Sequence, residues 1–293
     1  MILILGGSGF VGMEIVKVLR KQNLDFVVVD LRKPVGLKSS EFLYQDLLKE
    51  NLNADLVKNA TVIINLVGSP IVRRFSVKNK ALMYQSRVFL TKKVVNQILK
   101  YASRKCVYLQ ASGTAFYKPS IQVVTESGEP GNGFLAELTK DWEEASGPLK
   151  QYLKRVVIVR QPIVLGKRGF LGVYRLFKFF KFLPVFKIDN FKMSFIDVYD
   201  LASLYVALID SKFSGVVNAT MRKSYDYVNF NQMLKELYNL KPINLNFRFC
   251  NYLSGGMLVE FLQNYPIASD VDPKKEFNLQ FKSLRACLLR YLK

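Results

Sequence analysis

Four glycines near the start of the chain have the spacing of a loop that binds a phosphate group. They lie in the run Gly6-Gly7-Ser8-Gly9-Phe10-Val11-Gly12. In such a loop the early glycines allow a tight turn and bring backbone N–H groups close to a diphosphate, and the last one lets the following helix pack tightly on the strand before it. The partial positive charge at the start of that helix attracts the same anion. The spacing alone is weak evidence, so the neighbouring elements decide its meaning.

The elements on either side of the glycine run are those that a dinucleotide-binding loop requires. The apolar residues 1–5 predict a buried strand, and the pattern after Gly9 predicts an amphipathic helix. Residues 26–30 predict a second buried strand. Together they form a βαβ unit of about 30 residues. The dinucleotide-binding residues that this unit predicts are Gly6, Ser8, Gly9, Phe10, Val11 and Gly12.

Two residues after the second strand favour different forms of the dinucleotide. A carboxylate at the strand end, here Asp30, usually accepts hydrogen bonds from the adenosine ribose, which favours NAD(H). Arg32 and Lys33 follow directly and have the charge to bind a 2′-phosphate, which favours NADP(H). Because the whole chain is strongly basic, we expect NADP(H) to be slightly favoured over NAD(H).

The alternation of strands and helices continues along the chain. Further strands are predicted at 62–68, 105–111 and 155–159, and helices at 79–101 and 134–145. Short apolar strands that alternate with helices indicate an α/β fold with a doubly wound parallel sheet of the Rossmann type.

The last part of the chain predicts a second, smaller unit. We place a Rossmann domain at residues 1–165 and a smaller α/β lobe at 166–293, which lies over the cleft and is interleaved with the last strands of the sheet. Within this lobe we predict helices at 171–183 and 197–210, the latter capped by its first residue, and a strand at 215–218. In folds of this kind the ligand lies where such a lobe meets the strand ends.

The composition excludes several kinds of chemistry. The 293 residues include no histidine, which rules out Ser-His-Asp triads, Cys-His pairs and histidine-ligated zinc. Cys106, Cys250 and Cys287 are far apart, so we expect no disulfide framework, no metal site and a reducing compartment such as the cytoplasm. No signal sequence and no membrane-spanning run is recognisable, and peripheral attachment to a membrane stays open.

The net charge of +20 is concentrated in two stretches without acidic residues. Residues 56–125 contain 12 Lys and Arg, and residues 145–188 contain 10. A phosphate-bearing small molecule would explain this charge, as would a nucleic acid or an acidic lipid or protein surface. Nucleic acid is disfavoured, because no motif that reads DNA or RNA accompanies the charge.

Seven further short sequence motifs follow the glycine run, in the same order as in a known family. They lie at 63–70, 86–91, 111–113, 134–143, 160–166, 193–201 and 217–220. With the glycine run they resemble the short-chain dehydrogenase/reductase superfamily, in its extended NAD(P)-dependent epimerase/dehydratase group, and most closely the atypical subgroup called the epimerase family. The resemblance implies a Rossmann fold, a nicotinamide cofactor and oxidoreductase or epimerase activity on a carbonyl- or sugar-containing small molecule.

The resemblance also implies roles for individual residues. Asp46 corresponds to a contact with the adenine, residues 65–68 to the ribose and nicotinamide side, and Pro162 and Val164 to the segment that covers the nicotinamide. Ser112 matches the catalytic-loop serine, whose hydroxyl hydrogen-bonds a substrate oxygen. The cofactor residues implied in this way are Asp46, Asn65, Leu66, Val67, Gly68, Arg87, Pro162 and Val164.

The chain departs from the superfamily at its catalytic pair. These enzymes ordinarily carry Tyr-x-x-x-Lys on the helix after the serine strand, where the lysine lowers the tyrosine pKa. Aligned through Glu143, Leu135 takes the tyrosine position and Thr139 the lysine position. Neither side chain transfers protons at neutral pH. Tyr117, five residues after Ser112, is the nearest candidate replacement, with loop packing as its alternative role.

A second departure is the basic aromatic segment 170–192, where relatives are rich in glycine. It combines phenylalanines with Arg175, Lys178 and Lys181 at helical spacing. Four interpretations stay open for it. They are a pocket for an anionic substrate, a helix on an acidic membrane surface, a docking face for a partner subunit, and an ordinary core helix with a solvated basic side.

Two functions of different kinds follow. The first is an oxidoreductase or epimerase with a non-standard active site, in which Ser112 and Tyr117 polarise a substrate oxygen. The second is a catalytically inactive nucleotide-binding subunit with a structural or redox-sensing role, for which the nucleotide-binding accessory subunit of respiratory complex I is a precedent in the same superfamily. The missing Tyr-Lys pair favours the second function, and the nearly complete set of family motifs favours the first.

Overall fold

In the part of the chain that the structure describes, the strands form one large parallel sheet and three two-stranded ribbons. The computed structural model describes residues 1–169, 179–188, 191–221, 223–262, 266–270, 279–281 and 283–291. The strands are β1 Ile2–Leu5, β2 Phe26–Asp30, β3 Phe42–Tyr44, β4 Val62–Asn65, β5 Val107–Gly113, β6 Arg155–Gln161, β7 Ile163–Leu165, β8 Phe182–Phe186, β9 Lys192–Met193, β10 Phe195–Asp197, β11 Gly215–Asn218, β12 Tyr225–Asp226 and β13 Lys241–Leu245. The seven-stranded sheet has the order β3-β2-β1-β4-β5-β6-β11, and the ribbons are β7 with β10, β8 with β13 and β9 with β12.

Helices cover both faces of the sheet. They are α1 Phe10–Lys21, α2 Ala54–Asn59, α3 Val77–Tyr84, α4 Leu90–Tyr101, α5 Phe134–Glu144, α6 Leu149–Tyr152, α7 Val198–Asp210, α8 Tyr227–Tyr238, α9 Phe247–Leu253, α10 Met257–Phe261 and α11 Leu284–Arg290. A π-helical turn, Gln85–Phe89, joins α3 to α4. Within the described ranges, no helix combines the length and the apolar character needed to cross a bilayer.

The core lies in two layers because alternate strand residues point to opposite faces of the sheet. Ile4 packs with α1 and α7 in one layer. Its neighbours Leu3 and Leu5 pack with α2, α4 and α6 in the other. Strands that are buried on both faces need continuous apolar runs, which β1, β4 and the centre of β6 have.

The strand order reverses between β1 and β4. From β1 the chain moves outwards to β2 and β3, and then returns to the other side of β1 to form β4. All neighbours in the sheet are parallel, so the strands end on the same edge. Such a reversal opens a crevice outside the carboxyl ends of the two central strands. The predicted doubly wound Rossmann-type sheet is confirmed, and the glycine run lies at this crevice.

Local predictions were correct in type where the pattern was strong, but some ends were wrong: the predicted strand 62–68 ends at Asn65. The predicted helix 197–210 begins after Asp197, whose carboxylate accepts a hydrogen bond from Tyr199 N–H as an N-cap. The predicted helix 171–183 falls mostly on residues outside the described ranges. Its end is wrong, because Phe182–Phe186 is a strand paired with β13. The domain boundary at residue 165 stays a prediction.

The three cysteines differ in exposure, which predicts their reactivity. Cys106 and Cys287 are buried, and Cys250 is partly exposed. Burial raises the pKa of Cys106 to about 12, and burial together with the Asp197 carboxylate raises the pKa of Cys287. Since the thiolate is the reactive form, we expect iodoacetamide at mildly alkaline pH to modify Cys250 alone in the native chain and all three thiols in urea. Peptide mass spectrometry would show this, and rapid native modification of Cys106 would contradict it.

Candidate functional site

A cleft of about 420 Å³ lies at the carboxyl ends of β1, β2 and β4. Its walls come from the glycine run, the end of β2, the loop after β3 and the loop after β4. This is the place that the reversal in strand order predicts for a ligand. The predicted cofactor residues that line the cleft are Gly6, Ser8, Gly9, Asp30, Arg32, Asp46, Leu66, Val67 and Gly68.

The glycine run brings the backbone close to this cleft. Gly6 has a φ of 74°, which side chains disfavour, and a Cβ there would lie 3.0 Å from the Val67 main chain. A Cβ on Gly12 would lie 2.5 Å from the main chain of Gly7. Helix α1 therefore packs directly on the loop, and its first residues, Phe10 and Val11, start beside the cleft.

The end of β2 closes the outer wall of the cleft. The Asp30 carboxylate accepts hydrogen bonds from Ser8 N–H, at 2.9 Å, and from Leu31 N–H, at 2.7 Å. The Ser8 hydroxyl donates to the carbonyl of Arg32 at 2.6 Å. The Arg32 side chain is exposed at the cleft, whereas Lys33 donates to Ser39 Oγ at 3.2 Å. Arg32 is thus better placed than Lys33 to meet a ligand.

The Asn65 side chain supports the inner wall of the cleft without lining it. It is fully buried and donates to Thr91 Oγ1 and to the Tyr108 hydroxyl, at 3.1 and 2.9 Å. Its Oδ1 accepts Val67 N–H at 3.2 Å, which holds the loop after β4 in its turn. The structure therefore places Asn65 behind the cleft, and its predicted contact with a cofactor stays a prediction.

Arg87, Pro162 and Val164 lie outside the cleft lining. Arg87 is only 7% exposed, and its guanidinium lies against Gly68, which lines the cleft. Pro162 and Val164 are half-buried around the start of β7, and Val164 packs on the core layer that contains α1. Their proposed cover of a nicotinamide stays a prediction.

Ser112 lies one strand away from the cleft, in contact with a buried ion pair. Its hydroxyl donates to Glu143 Oε1 at 2.5 Å. Arg160 binds both oxygens of the same carboxylate, each at 2.8 Å. The Arg160 guanidinium also lies 3.5 Å from the centre of the Phe116 ring. Ser112 and Arg160 face each other in the β5–β6 register, which brings the three groups together.

Sequence reasoning missed this ion pair. In the sequence, Glu143 only aligns the helix with that of the superfamily, and Arg160 is only the first residue of the family motif 160–166. The available signal was Arg160 itself, a charged residue that directly follows the apolar run Val156–Val159 within β6. Since charged side chains are seldom buried without a partner, that pattern predicts an acidic partner nearby.

Tyr117 is buried and has a hydrogen-bond partner. Its hydroxyl donates to Asn218 Oδ1 at 2.7 Å, and its ring lies 4.8 Å from the Arg160 guanidinium. Burial raises the pKa of this phenol. This geometry suits the packing role better than the proton transfer suggested by its spacing from Ser112, although a catalytic role stays a prediction.

The two positions of the missing Tyr-Lys pair hold no group that transfers protons. Leu135 packs in an apolar cluster with Met83, Ala111 and Trp142. Thr139 is buried, and its hydroxyl donates to the Leu135 carbonyl at 2.6 Å within the same helix. Of the titratable groups near the end of β5, the described ion pair therefore has the clearest link to Ser112.

The sequence of the chain matches a known family and several relatives. Residues 2–133 match the model of the NAD dependent epimerase/dehydratase family. The chloroplastic SDR39U1 homolog of Arabidopsis thaliana, an epimerase family protein, is 29% identical over 224 residues, which cover 73% of this chain and 64% of that protein. The match thus spans less than two thirds of the plant relative. The epimerase family protein YfhF of Bacillus subtilis is 26% identical over 235 residues, 78% of this chain and 77% of YfhF.

Solved structures have the same fold. The human epimerase family protein SDR39U1, crystallised with NADPH, has a TM-score of 0.84 at 20% identity, covering 99% of this chain and 98% of that one. MoeE5 in complex with UDP-glucose and NAD has a TM-score of 0.81 at 19% identity, covering 99% and 97%. At these identities the likeness concerns the fold. The sequence match over residues 2–133 confirms that this chain resembles the NAD dependent epimerase/dehydratase family.

Proposed function

We propose that the chain binds a nicotinamide dinucleotide in this cleft and acts as an oxidoreductase or epimerase on a carbonyl- or sugar-containing small molecule. The observation that carries the proposal is the junction of the glycine run with the start of α1 at the strand-order reversal. The residues fit the cofactor, because Gly6 and Gly12 leave the backbone uncovered where any side chain would clash. The SDR39U1 structure with NADPH supports the same assignment.

Different residues along the cleft would bind different parts of the dinucleotide. The glycine run binds the diphosphate through backbone N–H groups, and Asp46 lies in the lining where an adenine contact is implied. When bound, the nicotinamide ring supplies or accepts a hydride. Asp30 already accepts two backbone N–H bonds, so a ribose hydroxyl would share that carboxylate.

Ser112 and Glu143 would transfer the proton of the substrate hydroxyl. Because the Ser112 hydroxyl donates its hydrogen to Glu143, its lone pairs are the part that faces other partners. In this state Ser112 accepts a hydrogen bond from a substrate hydroxyl rather than donating one to a carbonyl. A proton leaving the substrate hydroxyl passes to Ser112 Oγ as the serine proton passes to Glu143. The reverse transfer serves carbonyl reduction.

Arg32 is the residue that we expect to set the preference for NADP(H). A charge-assisted bond to a 2′-phosphate is worth about 1.5–3 kcal/mol, or roughly 10-fold or more in affinity. We therefore expect Arg32→Glu to raise the Kd for NADPH at least 10-fold, by calorimetry, and to change that for NADH less than 3-fold. Lys33→Glu is the matched control, because Lys33 bonds Ser39. NADH binding 10-fold tighter than NADPH in the unmodified chain would contradict the preference, and binding of neither would contradict the proposed function.

A second candidate function is dinucleotide binding without turnover, in a structural or redox-sensing subunit. It is favoured by Leu135 and Thr139, which fill the positions of the Tyr-Lys pair with buried, non-titrating side chains. A panel of quinones and carbonyls distinguishes the two functions. NADPH oxidation that Ser112→Ala abolishes would support the enzyme. An NADPH-induced rise in Tm with no oxidation of NADPH by any compound would support the subunit.

A further inference from the structure

We propose that Arg87 forms a buried anion subsite beside Gly68, completed by an anionic oxygen of the ligand in the cleft. The oxygen belongs either to the phosphates of the dinucleotide or to a phosphate or carboxylate of an acidic substrate. The inference deepens the proposed function, since it names the chemistry that one end of the same cleft recognises.

The first observation is a buried charge with two nitrogen atoms that form no hydrogen bond to the residues the structure describes. Arg87 lies in the π-helical turn between α3 and α4 and is only 7% exposed. Its Nε and Nη1 atoms are buried and have no hydrogen-bond partner within the described ranges. Burial lowers the pKa of Arg87 to about 10, which leaves the group charged at neutral pH. Buried cations in proteins are normally paired, so this one calls for an acceptor.

The second observation is where the guanidinium lies. A Cβ on Gly68 would be 2.8 Å from Arg87 Cζ and 2.9 Å from Nη2, so the guanidinium lies where a side chain at position 68 would begin. Gly68 lines the cleft, together with Ser69 and Ser86. The Trp142 ring lies 5.1 Å from the Arg87 Cζ. The cation is therefore held between an indole and the wall of the cleft.

A third observation points to the class of ligand. The Ser69 hydroxyl, in the same wall, is also buried and has no hydrogen-bond partner in the part of the chain that the structure describes. A guanidinium with a neighbouring hydroxyl matches the several oxygens of a phosphate or carboxylate, whereas an apolar or amine-bearing group would leave both unsatisfied. Trp142 and Thr139 are three residues apart on α5, so Arg87 also brings positive charge to the helix face where the family's lysine is missing.

The test compares Arg87→Gln and Arg87→Lys with Arg74→Gln, which removes an exposed arginine from the loop before α3. Because an unpaired buried charge destabilises the ligand-free fold, we expect Arg87→Gln to keep or raise the Tm without ligand. We expect the same variant to weaken binding of inorganic pyrophosphate or NADPH at least 10-fold if the anion is the dinucleotide's. Arg87→Lys should retain part of the affinity, and Arg74→Gln all of it.

A second arm identifies an acidic substrate as the source. At saturating NADPH, inorganic phosphate and glucuronate are added as probes and the shift in Tm is measured. A shift that is present in the unmodified chain and lost in Arg87→Gln, with NADPH affinity unchanged, would assign the subsite to the substrate. Suppose that Arg87→Gln and the unmodified chain bind pyrophosphate and NADPH equally well and show equal Tm shifts with both probes. The proposed subsite would then be refuted, even if the dinucleotide binds. Arg87-dependent pyrophosphate binding without any dinucleotide binding would support the subsite and overturn the proposed function.

Discussion

Gly12→Ala is expected to weaken NADPH binding at least 100-fold and to lower the free energy of unfolding by about 3 kcal/mol. The added Cβ would lie 2.5 Å from both Cα and O of Gly7 and 2.7 Å from its carbonyl carbon. All three are backbone atoms, so no side-chain rotation relieves the clash. Helix α1 must move away from the loop, and the N–H groups that face the diphosphate move with it.

Gly113→Ala is the matched control for this substitution. Gly113 has an extended backbone, with φ −135° and ψ 150°, and the nearest atom to an added Cβ is 3.9 Å away. We expect its stability and NADPH affinity to stay close to those of the unmodified chain. Urea unfolding and NADPH titration measure both quantities. A Gly12→Ala protein that binds NADPH as tightly as Gly113→Ala would show that the close packing of α1 on the loop is not needed for binding.

Arg160→Met is expected to destabilise the protein by about 3–5 kcal/mol, the largest effect on stability that we predict. The side chains of Arg160 and Glu143 are 4% and 11% exposed and share two hydrogen bonds of 2.8 Å. Without the guanidinium, the Glu143 carboxylate is left in the interior with the Ser112 hydroxyl as its remaining side-chain donor. A buried charge without its counter-charge accounts for the loss.

Two further variants separate this pairing from general effects of substitution. Lys140→Met removes an ion pair from the same helix, but Lys140 and Glu144 are 4.0 Å apart and more than half exposed, so we expect a change of about 0.5 kcal/mol or less. The double variant Arg160→Met/Glu143→Leu removes both charges and should recover most of the stability lost in Arg160→Met. Equal losses for Arg160→Met and Lys140→Met in urea unfolding would refute the role of the buried pair.

The Ser112–Glu143 contact links this stability prediction to the proposed chemistry. Glu143→Gln keeps the size of the side chain but cannot take up a proton from Ser112. If the enzyme function holds, this variant should lose turnover while keeping NADPH affinity, because neither residue lines the cleft. For the subunit function the variant would change stability alone.

The sequence by itself determined the features that depend on neighbours along the chain. The glycine run, the apolar strands around it and the helix N-cap at Asp197 each follow from the preferences of a few consecutive residues, and all were found where the pattern predicted them. The parallel sheet followed as well, since strands separated by helices have few other arrangements. The cleft position could be predicted because it depends only on where the strand order reverses.

Only the tertiary structure decided which side chains meet across the sheet. Ser112, Glu143 and Arg160 come from two strands and a helix, and their contact depends on the β5–β6 register and the rotation of α5. The family resemblance implied a cofactor contact for Arg87, but only the tertiary structure shows its enclosure by the loop after β4 and Trp142. Residues 182–186 became a strand through pairing with β13, more than fifty residues later. Such long-range contacts override local propensity, because burial and pairing energies exceed the small intrinsic preferences of single residues.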